Sequence, residues 1–405
     1  MKVTIIGQGY VGLPIAVYAA EAGFVVGGFD IDDIKVNNLN NGISDSPEVS
    51  SDQILSLLNK GNLFFSSDIY DHKDSTIYII AVPTPLDKNH KPDLDFLRNA
   101  CKILTKVVKP KDLIINESTS YIGTLRNLIK PIIEDSLGEI DVYYAVAPER
   151  IDPGNKTWSV KNTPRNIAGL TDQSTSQAAK FYSGFCDSIN IVSNPEVAEA
   201  AKLFENTFRH VNIALVNEFS EVASKYNFSA NEAIIAAATK PFGFMPFYPS
   251  IGVGGHCIPV DPSYLAFSAE QVGIESKFID LANQINFSSP KIVAKRILTK
   301  LDGDLVGKRV QLAGITYKPN ISDLRESPAL ELIKELKSLG AEVFWFDPYV
   351  KIFNGDKSRP LDPNIDLGLI IIPHENIDFT IWKNANTKVL DLSANSRNFG
   401  WPKFL

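Results

Sequence analysis

Cys257 stands within Gly252-Val253-Gly254-Gly255-His256-Cys257-Ile258-Pro259-Val260-Asp261-Pro262, and a thiol presented in this way can act as a covalent nucleophile. The preceding glycines let backbone approach another group closely. Asp261 follows four residues on, and two prolines stiffen the segment. The other reading is a buried structural cysteine beside a tight turn. The chain has three cysteines; Cys101 falls in a helical pattern, and Cys186 in Phe-Tyr-Ser-Gly-Phe-Cys-Asp-Ser.

A second set of polar side chains recurs at helical spacing. Lys202, Asn206 and Arg209 lie at i, i+4 and i+7, on one face of a helix. Asn194-Pro195-Glu196 is a helix start, and no breaker follows until about Tyr226. Val197, Ala201, Phe204, Phe208, Val211, Leu215, Phe219 and Val222 spread over most faces. That pattern predicts a helix buried on several sides, as a spine between domains, a subunit interface, or both. A lysine and an asparagine inside it need partners; an exposed polar stripe is the alternative.

Elements that position a nucleotide precede these residues. Val3 to Ile6 reads as a buried strand, followed by Gly7-Gln8-Gly9-Tyr10-Val11-Gly12 and a helix from Leu13 to Ala22. A second strand, Phe24 to Phe29, ends at Asp30. In such a unit the first glycine makes the turn, the second admits a pyrophosphate, and the third packs helix on strand. The phosphates meet the helix N-terminus. Asp30 can bind the adenosine ribose hydroxyls and would repel a 2′-phosphate, which favours NAD over NADP. Lys35 either contacts the adenosine side or is a solvated surface lysine.

Further strands end in polar residues. Thr76 to Val82 leads to Pro83-Thr84-Pro85, Leu113 to Asn116 leads to Glu117-Ser118-Thr119, and Val142 to Ala147 leads to Pro148-Glu149-Arg150. Ligands of a doubly wound sheet bind beyond these strand ends, so Thr84, Ser118, Thr119 and Glu149 are expected at one crevice. Each is otherwise a turn or cap residue. The aromatics of Lys240-Pro241-Phe242-Gly243-Phe244-Met245-Pro246-Phe247-Tyr248 can pack against a sugar or a base, or form ordinary core.

The last third repeats the strand–helix–strand pattern without the glycine fingerprint. Strands are expected at Lys308 to Gly314, Glu342 to Phe346, Leu367 to Ile372 and Lys388 to Leu392, with a helix from Ser327 to Leu339. Lys318 and Arg325 fall in a strand-to-helix connection, where a phosphate or carboxylate can sit. Arg325 in Asp323-Leu324-Arg325-Glu326 is alternatively a surface ion pair.

Composition removes other classes. The 405 residues suffice for two or three domains, and 44% apolar with 21% charged residues is ordinary for a globular protein. A net charge of −7 without a basic tract argues against nucleic acid or an anionic membrane as partner. No apolar run approaches the roughly 20 residues that span a bilayer, and the N-terminus lacks a signal-peptide core. The cysteines and the five histidines show no metal spacing. A cytoplasmic protein without a metal is expected.

Taken together, the chain resembles the UDP-sugar 6-dehydrogenases over nearly its whole length. The resemblance rests on GQGYVG at Gly7, VPTP at Val82, ESTSYIGT at Glu117, APERIDPGN at Ala147, EAAKLFENTFRHVNIALVNE at Glu199, GVGGHCIPVDP at Gly252 and GITYKPNISDLRESPA at Gly314. APERIDPGN, Gly-Gly-His-Cys and TKPFGFMPFYP are most similar to the N-acetylhexosamine branch, in particular the UDP-N-acetylglucosamine 6-dehydrogenases of bacterial surface-polysaccharide pathways. Val260 departs from the UDP-glucose enzymes, which place a lysine there, so no role for that lysine carries over.

The resemblance implies two successive oxidations of one carbon by NAD, with Cys257 holding the intermediate as thiohemiacetal and then thioester. It implies that Lys202 and Asn206 stabilise the oxyanion, and that Asp261 and Thr119 position water or a proton acceptor. Glu149 becomes the base for thioester hydrolysis. NAD is then met by Gly7, Gly9, Tyr10, Val11, Gly12, Asp30, Lys35, Pro83, Thr84, Ser118, Thr119 and Arg325. The UDP-N-acetylhexosamine is met by Glu149, Arg150, Lys202, Asn206, Arg209, Tyr248, Gly252, Gly254, Tyr317 and Lys318, with Arg150 reading the N-acetyl group. The expected fold is α/β, with two Rossmann-like doubly wound domains joined by a central helical region. The boundaries expected are 1–193 for NAD, 194–295 for the helical region, and 296–405 for the UDP-sugar. A homodimer or higher homo-oligomer through the long helix completes the expectation.

Overall fold

The computed structural model describes the chain except Asp45, Pro47, Glu139, Pro153, Gly154, Lys156, His256 and Asn398. It divides into two compact units, residues 1–205 with 263–273, and residues 206–262 with 274–405.

The first unit is built on an eight-stranded sheet. Its elements run β1 (Lys2–Ile6), α1 (Gly12–Glu21), β2 (Val25–Phe29), α2 (Asp33–Asn40), α3 (Ser51–Asn59), β3 (Leu63–Ser66) and β4 (Ile77–Ile80). They continue with α4 (Asp95–Leu104), β5 (Leu113–Asn116), α5 (Lys130–Leu137), β6 (Tyr143–Val146), β7 (Arg165–Gly169), α6 (Asp172–Tyr182) and β8 (Ile189–Ile191). The strand order is β3-β2-β1-β4-β5-β6-β7-β8, with only β6 and β7 antiparallel. Order reverses between β1 and β4, the switch point where ligands of such sheets bind.

The central strands β1, β4 and β5 are largely apolar because both faces are covered. Val3, Ile5, Ile77, Ile79, Leu113 and Ile115 enter one core, while Ile6, Tyr78, Ile80 and Ile114 enter the other. These apolar runs are legible in the sequence; β3, β7 and β8 are not. Strand β7 opens on an arginine and an asparagine, and β8 is short and largely exposed.

The long helix α7 (Pro195–Tyr226) is continuous, as its composition predicts. The second unit follows with α8 (Ala230–Ala238), α9 (Cys257–Gln271) and α10 (Lys277–Lys300). Its sheet comes from β9 (Arg309–Ala313), α11 (Pro328–Ser338), β10 (Glu342–Phe346), a small hairpin β11 (Ile352–Phe353) and β12 (Asp356–Lys357), β13 (Leu367–Ile370), α12 (Thr380–Asn384) and β14 (Val389–Asp391). The four main strands are parallel in the order β10-β9-β13-β14, so this sheet has its own switch point between β9 and β13. No helix among the described residues is long and apolar enough to cross a membrane.

Candidate active site

The glycine fingerprint has the geometry a dinucleotide needs. Gly7 has φ +94°, and a Cβ there would lie 2.6 Å from the Ala81 carbonyl oxygen. A Cβ on Gly12 would lie 1.9 Å from the Gly7 oxygen, so α1 can pack only on glycine. A Cβ on Gly9 would meet nothing within 4 Å, which leaves room for a pyrophosphate. No side chain caps the start of α1 at Val11, whereas Asp32 and Ser50 cap α2 and α3. No side chain therefore competes with an anion at the start of α1, where Leu13 N–H bonds the Gly9 carbonyl at 3.1 Å and Pro14 has no N–H.

Asp30 accepts the Gln8 N–H at 2.8 Å and the Asp32 N–H at 3.1 Å. Lys35 Nζ is 3.5 Å from Asp30 Oδ2, so this lysine borders the Asp30 carboxylate. Tyr10 is exposed beside the loop, as is Pro83 beyond β4. Thr84 is buried, and Ser118 Oγ donates to the Val82 carbonyl at 2.9 Å, which ties the ends of β5 and β4 together. Thr119 is half-buried on the same loop. These residues fit NAD, whose bound nicotinamide supplies the hydride acceptor.

Glu149 is buried at the end of β6. Its Oε2 accepts the Ile151 N–H at 2.5 Å, and its Oε1 lies 3.4 Å from Arg165 Nη2. Arg150 forks onto Glu205, with Nη2 to Oε1 at 2.6 Å, and donates to the Pro164 carbonyl at 2.7 Å. Lys202 is buried on α7. Arg165 escaped the sequence reading because an arginine opening a short strand looks like an edge residue.

In the second unit the thiol segment is helical, not a loop. Cys257 is the first residue of α9, and Asp261 lies one turn on. Residues four apart share a helix face, so the sulfur and the carboxylate point to the same side. The N-terminal end of the helix also favours negative charge on that first residue. Asn206 Nδ2 donates to the fully buried Asp261 at 2.6 Å. Thus the middle of α7 is fastened to the turn that carries the thiol. Arg209, by contrast, is exposed.

Pro262 explains how α9 starts. It has no N–H to give the Ile258 carbonyl, which is thereby freed. The buried His210 hydrogen-bonds to the Ile258 backbone. Burial pushes His210 down to about 4, so the ring is neutral near pH 7. His256 lies outside the described residues, as do Pro153 and Gly154 of the APERIDPGN segment.

The loop before the thiol packs on the β9 connection. The Gly255 N–H donates to the Arg325 carbonyl at 3.0 Å. A Cβ on Gly254 would sit 2.8 Å from the Tyr317 Cβ, and one on Gly255 2.8 Å from the Tyr317 ring. Gly252 approaches the Asn286 carbonyl in the same way. These glycines therefore seat the loop against protein, and Tyr317 is part of that seat. Tyr248 is half-buried upstream, and Arg325 is forked onto Asp323, with Nη2 to Oδ2 at 2.6 Å.

At the switch point of this sheet, Asp347 ends β10. Its Oδ2 accepts from the N–H groups of Ile315 and Thr316 at 2.8 and 3.3 Å, and its Oδ1 from those of Tyr349 and Val350 at 2.9 and 3.2 Å. His374 Nδ1 accepts the Asn320 N–H at 2.9 Å, which places the ring proton on Nε2, 3.0 Å from Asp347. Thr316 Oγ1 donates to the Lys318 carbonyl at 2.9 Å. Asp347 and His374 thus fix the segment that displays Tyr317 and Lys318.

Comparisons with known proteins agree with this layout. Models of the UDP-glucose/GDP-mannose dehydrogenase family match as NAD binding domain at residues 1–186, central domain at 196–288 and UDP binding domain at 311–388. The chain is 34% identical over 357 residues to a UDP-N-acetyl-D-glucosamine 6-dehydrogenase of Pseudomonas aeruginosa, covering 86% of this chain and 83% of that one. It is also 34% identical over 361 residues to a UDP-N-acetyl-D-mannosamine dehydrogenase of Campylobacter jejuni, covering 86% and 87%. The solved UDP-D-ManNAc dehydrogenase of Pyrococcus horikoshii shares the fold at a TM-score of 0.89 and 31% identity, covering 100% of this chain and 97% of that one. The fingerprint in which Gly7 and Gly12 admit no side chain, the thiol at a helix start and these matches lead to one conclusion: the chain belongs to the UDP-glucose/GDP-mannose dehydrogenase family and is an NAD-dependent UDP-sugar dehydrogenase.

Proposed function

We propose that the chain oxidises carbon 6 of UDP-N-acetylglucosamine to the carboxylate in the cytoplasm, for a surface polysaccharide. Each sugar consumes one water, reduces two NAD and releases three protons. The observation that carries the reading is the 2.6 Å bond from Asn206 to Asp261, one helical turn from Cys257.

The residues act in sequence. Loss of the first hydride converts the alcohol to an aldehyde. The Cys257 thiolate adds to that carbonyl, because an aldehyde has no second hydride to give until something adds to it. Lys202 and Asn206 stabilise the oxygen of the adduct. A second hydride leaves and the adduct becomes a thioester. Thr119 and Asp261 orient a water, Glu149 takes one of its protons, and its oxygen adds to the thioester carbon. The C–S bond breaks and Cys257 departs as thiolate. Tyr317 and Lys318 hold the UDP portion together with Arg209, Tyr248 and the backbone at Gly252 and Gly254. Arg150 is assigned the acetamido group, and Arg325 a contact with NAD.

The same chemistry on UDP-N-acetylmannosamine is the second reading, favoured by the names of relatives equally similar to this chain. A panel of UDP-sugars with excess NAD separates them. UDP-N-acetylglucosamine should give the highest kcat/KM, and two NADH per sugar consumed. A higher kcat/KM for the manno epimer overturns the substrate, and a yield near one NADH overturns the four-electron reaction.

A homodimer through α7 belongs to this proposal. Phe204, Phe208, Leu215 and Val222 are all exposed and fall in one stripe at helical spacing. Large apolar side chains in such a row mark an association surface. Light scattering should give a dimer or larger for the parent and a monomer for Phe204→Glu with Leu215→Glu. A monomeric parent rejects this role for the stripe.

A further inference from the structure

A buried ionic cluster surrounds Glu149, and the proposed chemistry uses only one of its members. Arg165, at the start of β7, has a side chain only 3% exposed. Its Nη1 donates to Glu117 Oε2 at 2.8 Å and to the Ala147 carbonyl at 3.2 Å, while Nη2 faces Glu149 Oε1 at 3.4 Å. The guanidinium lies over the Tyr182 ring, 4.8 Å from its centroid. The Tyr182 hydroxyl donates to the other oxygen of Glu117.

One cation therefore faces two carboxylates in a water-poor site. The guanidinium does not lose its proton in proteins, so any titration falls on the carboxylates. Burial pushes Glu117 up to about 7, against the pull of Arg165 and of the Tyr182 hydroxyl. Burial also raises Tyr182 well above its ordinary range and Cys186 to about 11, so both keep their protons near neutrality. Of the groups that face the cluster from β5, β7 and α6, Glu117 is therefore the one whose charge changes near neutrality.

We propose that Arg165 is the positioning residue of Glu149, and that Glu117, by competing for the same guanidinium, tunes Glu149 as a base. The inference rests on the reading of Glu149 as the base of thioester hydrolysis. Both of its oxygens are held, one by the Ile151 N–H and one by Arg165. Each carboxylate oxygen has two acceptor sites, so one site per oxygen remains for the water. With Glu117 ionised, Arg165 divides its charge and Glu149 attracts a proton more strongly. With Glu117 protonated, the whole charge acts on Glu149, which becomes a weaker base. Hydrolysis then depends on the charge state of Glu117.

The test separates hydrolysis from oxidation. Enzyme, NAD and the UDP-sugar ranked first in the panel are mixed and quenched, and the sugar adduct on Cys257 is followed by intact mass from pH 6 to 9. The NADH burst reports the first oxidation in the same samples. A base contributes roughly 10²–10⁴-fold, of which Arg165→Lys should lose about tenfold in adduct decay, beyond any change in the burst. Glu117→Gln keeps the size and hydrogen-bonding reach but removes the competing charge. Its acid limb of adduct decay should move to lower pH by about one unit. A merely structural role would leave that limb in place. Glu149→Gln is the control and should accumulate the adduct. Accumulation there, with parent-like profiles in Glu117→Gln and Arg165→Lys, overturns the inference alone. No accumulation in Glu149→Gln overturns both the base and its tuning.

Discussion

Cys257→Ala is expected to retain NAD binding and to lose uronate formation by about 10³-fold or more, since α9 carries no second thiol. In the proposed mechanism the covalent step joins the two oxidations. Without the thiol, the aldehyde has nothing to turn it into a hydride donor except water. The side chain is only half-buried, so its truncation should cost little stability. The variant should therefore melt within a few degrees of the parent and bind NAD with similar affinity. Product analysis with an aldehyde trap should find the aldehyde, not the acid, and intact mass should show no adduct. Two NADH per sugar at more than a tenth of the parent rate would remove Cys257 from the mechanism.

Asp347→Ala should produce the largest loss of stability in the second unit, about 3–5 kcal/mol, because it orphans several buried N–H groups at once. The carboxylate accepts from four backbone N–H groups and from His374. Each unsatisfied buried donor costs about 1–3 kcal/mol, and partial relaxation keeps the sum below the simple total. Urea unfolding monitored at pH 7 reads the loss. A change under about 1 kcal/mol would show that the cluster is not holding the Ile315–Lys318 turn.

The pH dependence of this site has a definite sign. Burial pushes Asp347 up, but the His374 hydrogen bond and the Ile315 and Tyr349 N–H groups outweigh it, so its carboxyl titrates below 3.8. In that case the unfolded chain binds the proton more readily. The stabilisation is complete above the unfolded value and is lost as pH falls through the lower folded one. Acid unfolding of the parent should include this contribution, and Asp347→Ala should lack it.

The parts legible in the sequence were those with local causes. Gly7 and Gly12 declare themselves because backbone conformation and close approach leave no other residue possible, and Gly9 because the fingerprint keeps open space for a pyrophosphate. The strands beginning at Val3, Ile77 and Leu113 declare themselves because parallel strands covered on both faces must be apolar. Lys202 and Asn206 were marked by polarity at helical spacing, and they prove buried and half-buried, while Arg209 of the same spacing is exposed. Cys257 stood out, but its helix did not, since Pro259 and Pro262 look like breakers. The first turn of a helix needs no N–H from a proline, and the carbonyl that Pro262 frees is met by His210 from far away in the chain. Arg165, Tyr182 and Asp347 were hidden for the same reason. Their roles come from side chains distant in sequence, and no spacing encodes that.

The division of the chain has a consequence for its synthesis. Residues 263–273 belong to the first unit, yet they follow residues 206–262 of the second. They are not ornamental there. Ser268 Oγ accepts the Ile122 N–H at 3.0 Å, Tyr264 donates to the Pro85 carbonyl at 3.4 Å, and Phe267 meets Tyr121 edge-on. A ribosome adds about 5–20 residues per second, so the nucleotide-binding sheet waits several seconds, after Glu205 has emerged, for the piece that completes it. In the second half of that interval the aromatic stretch from Phe242 to Tyr248 is already outside the tunnel with its sheet not yet made. Cys257 arrives at the end of this vulnerable window, shortly before the segment that closes the first unit.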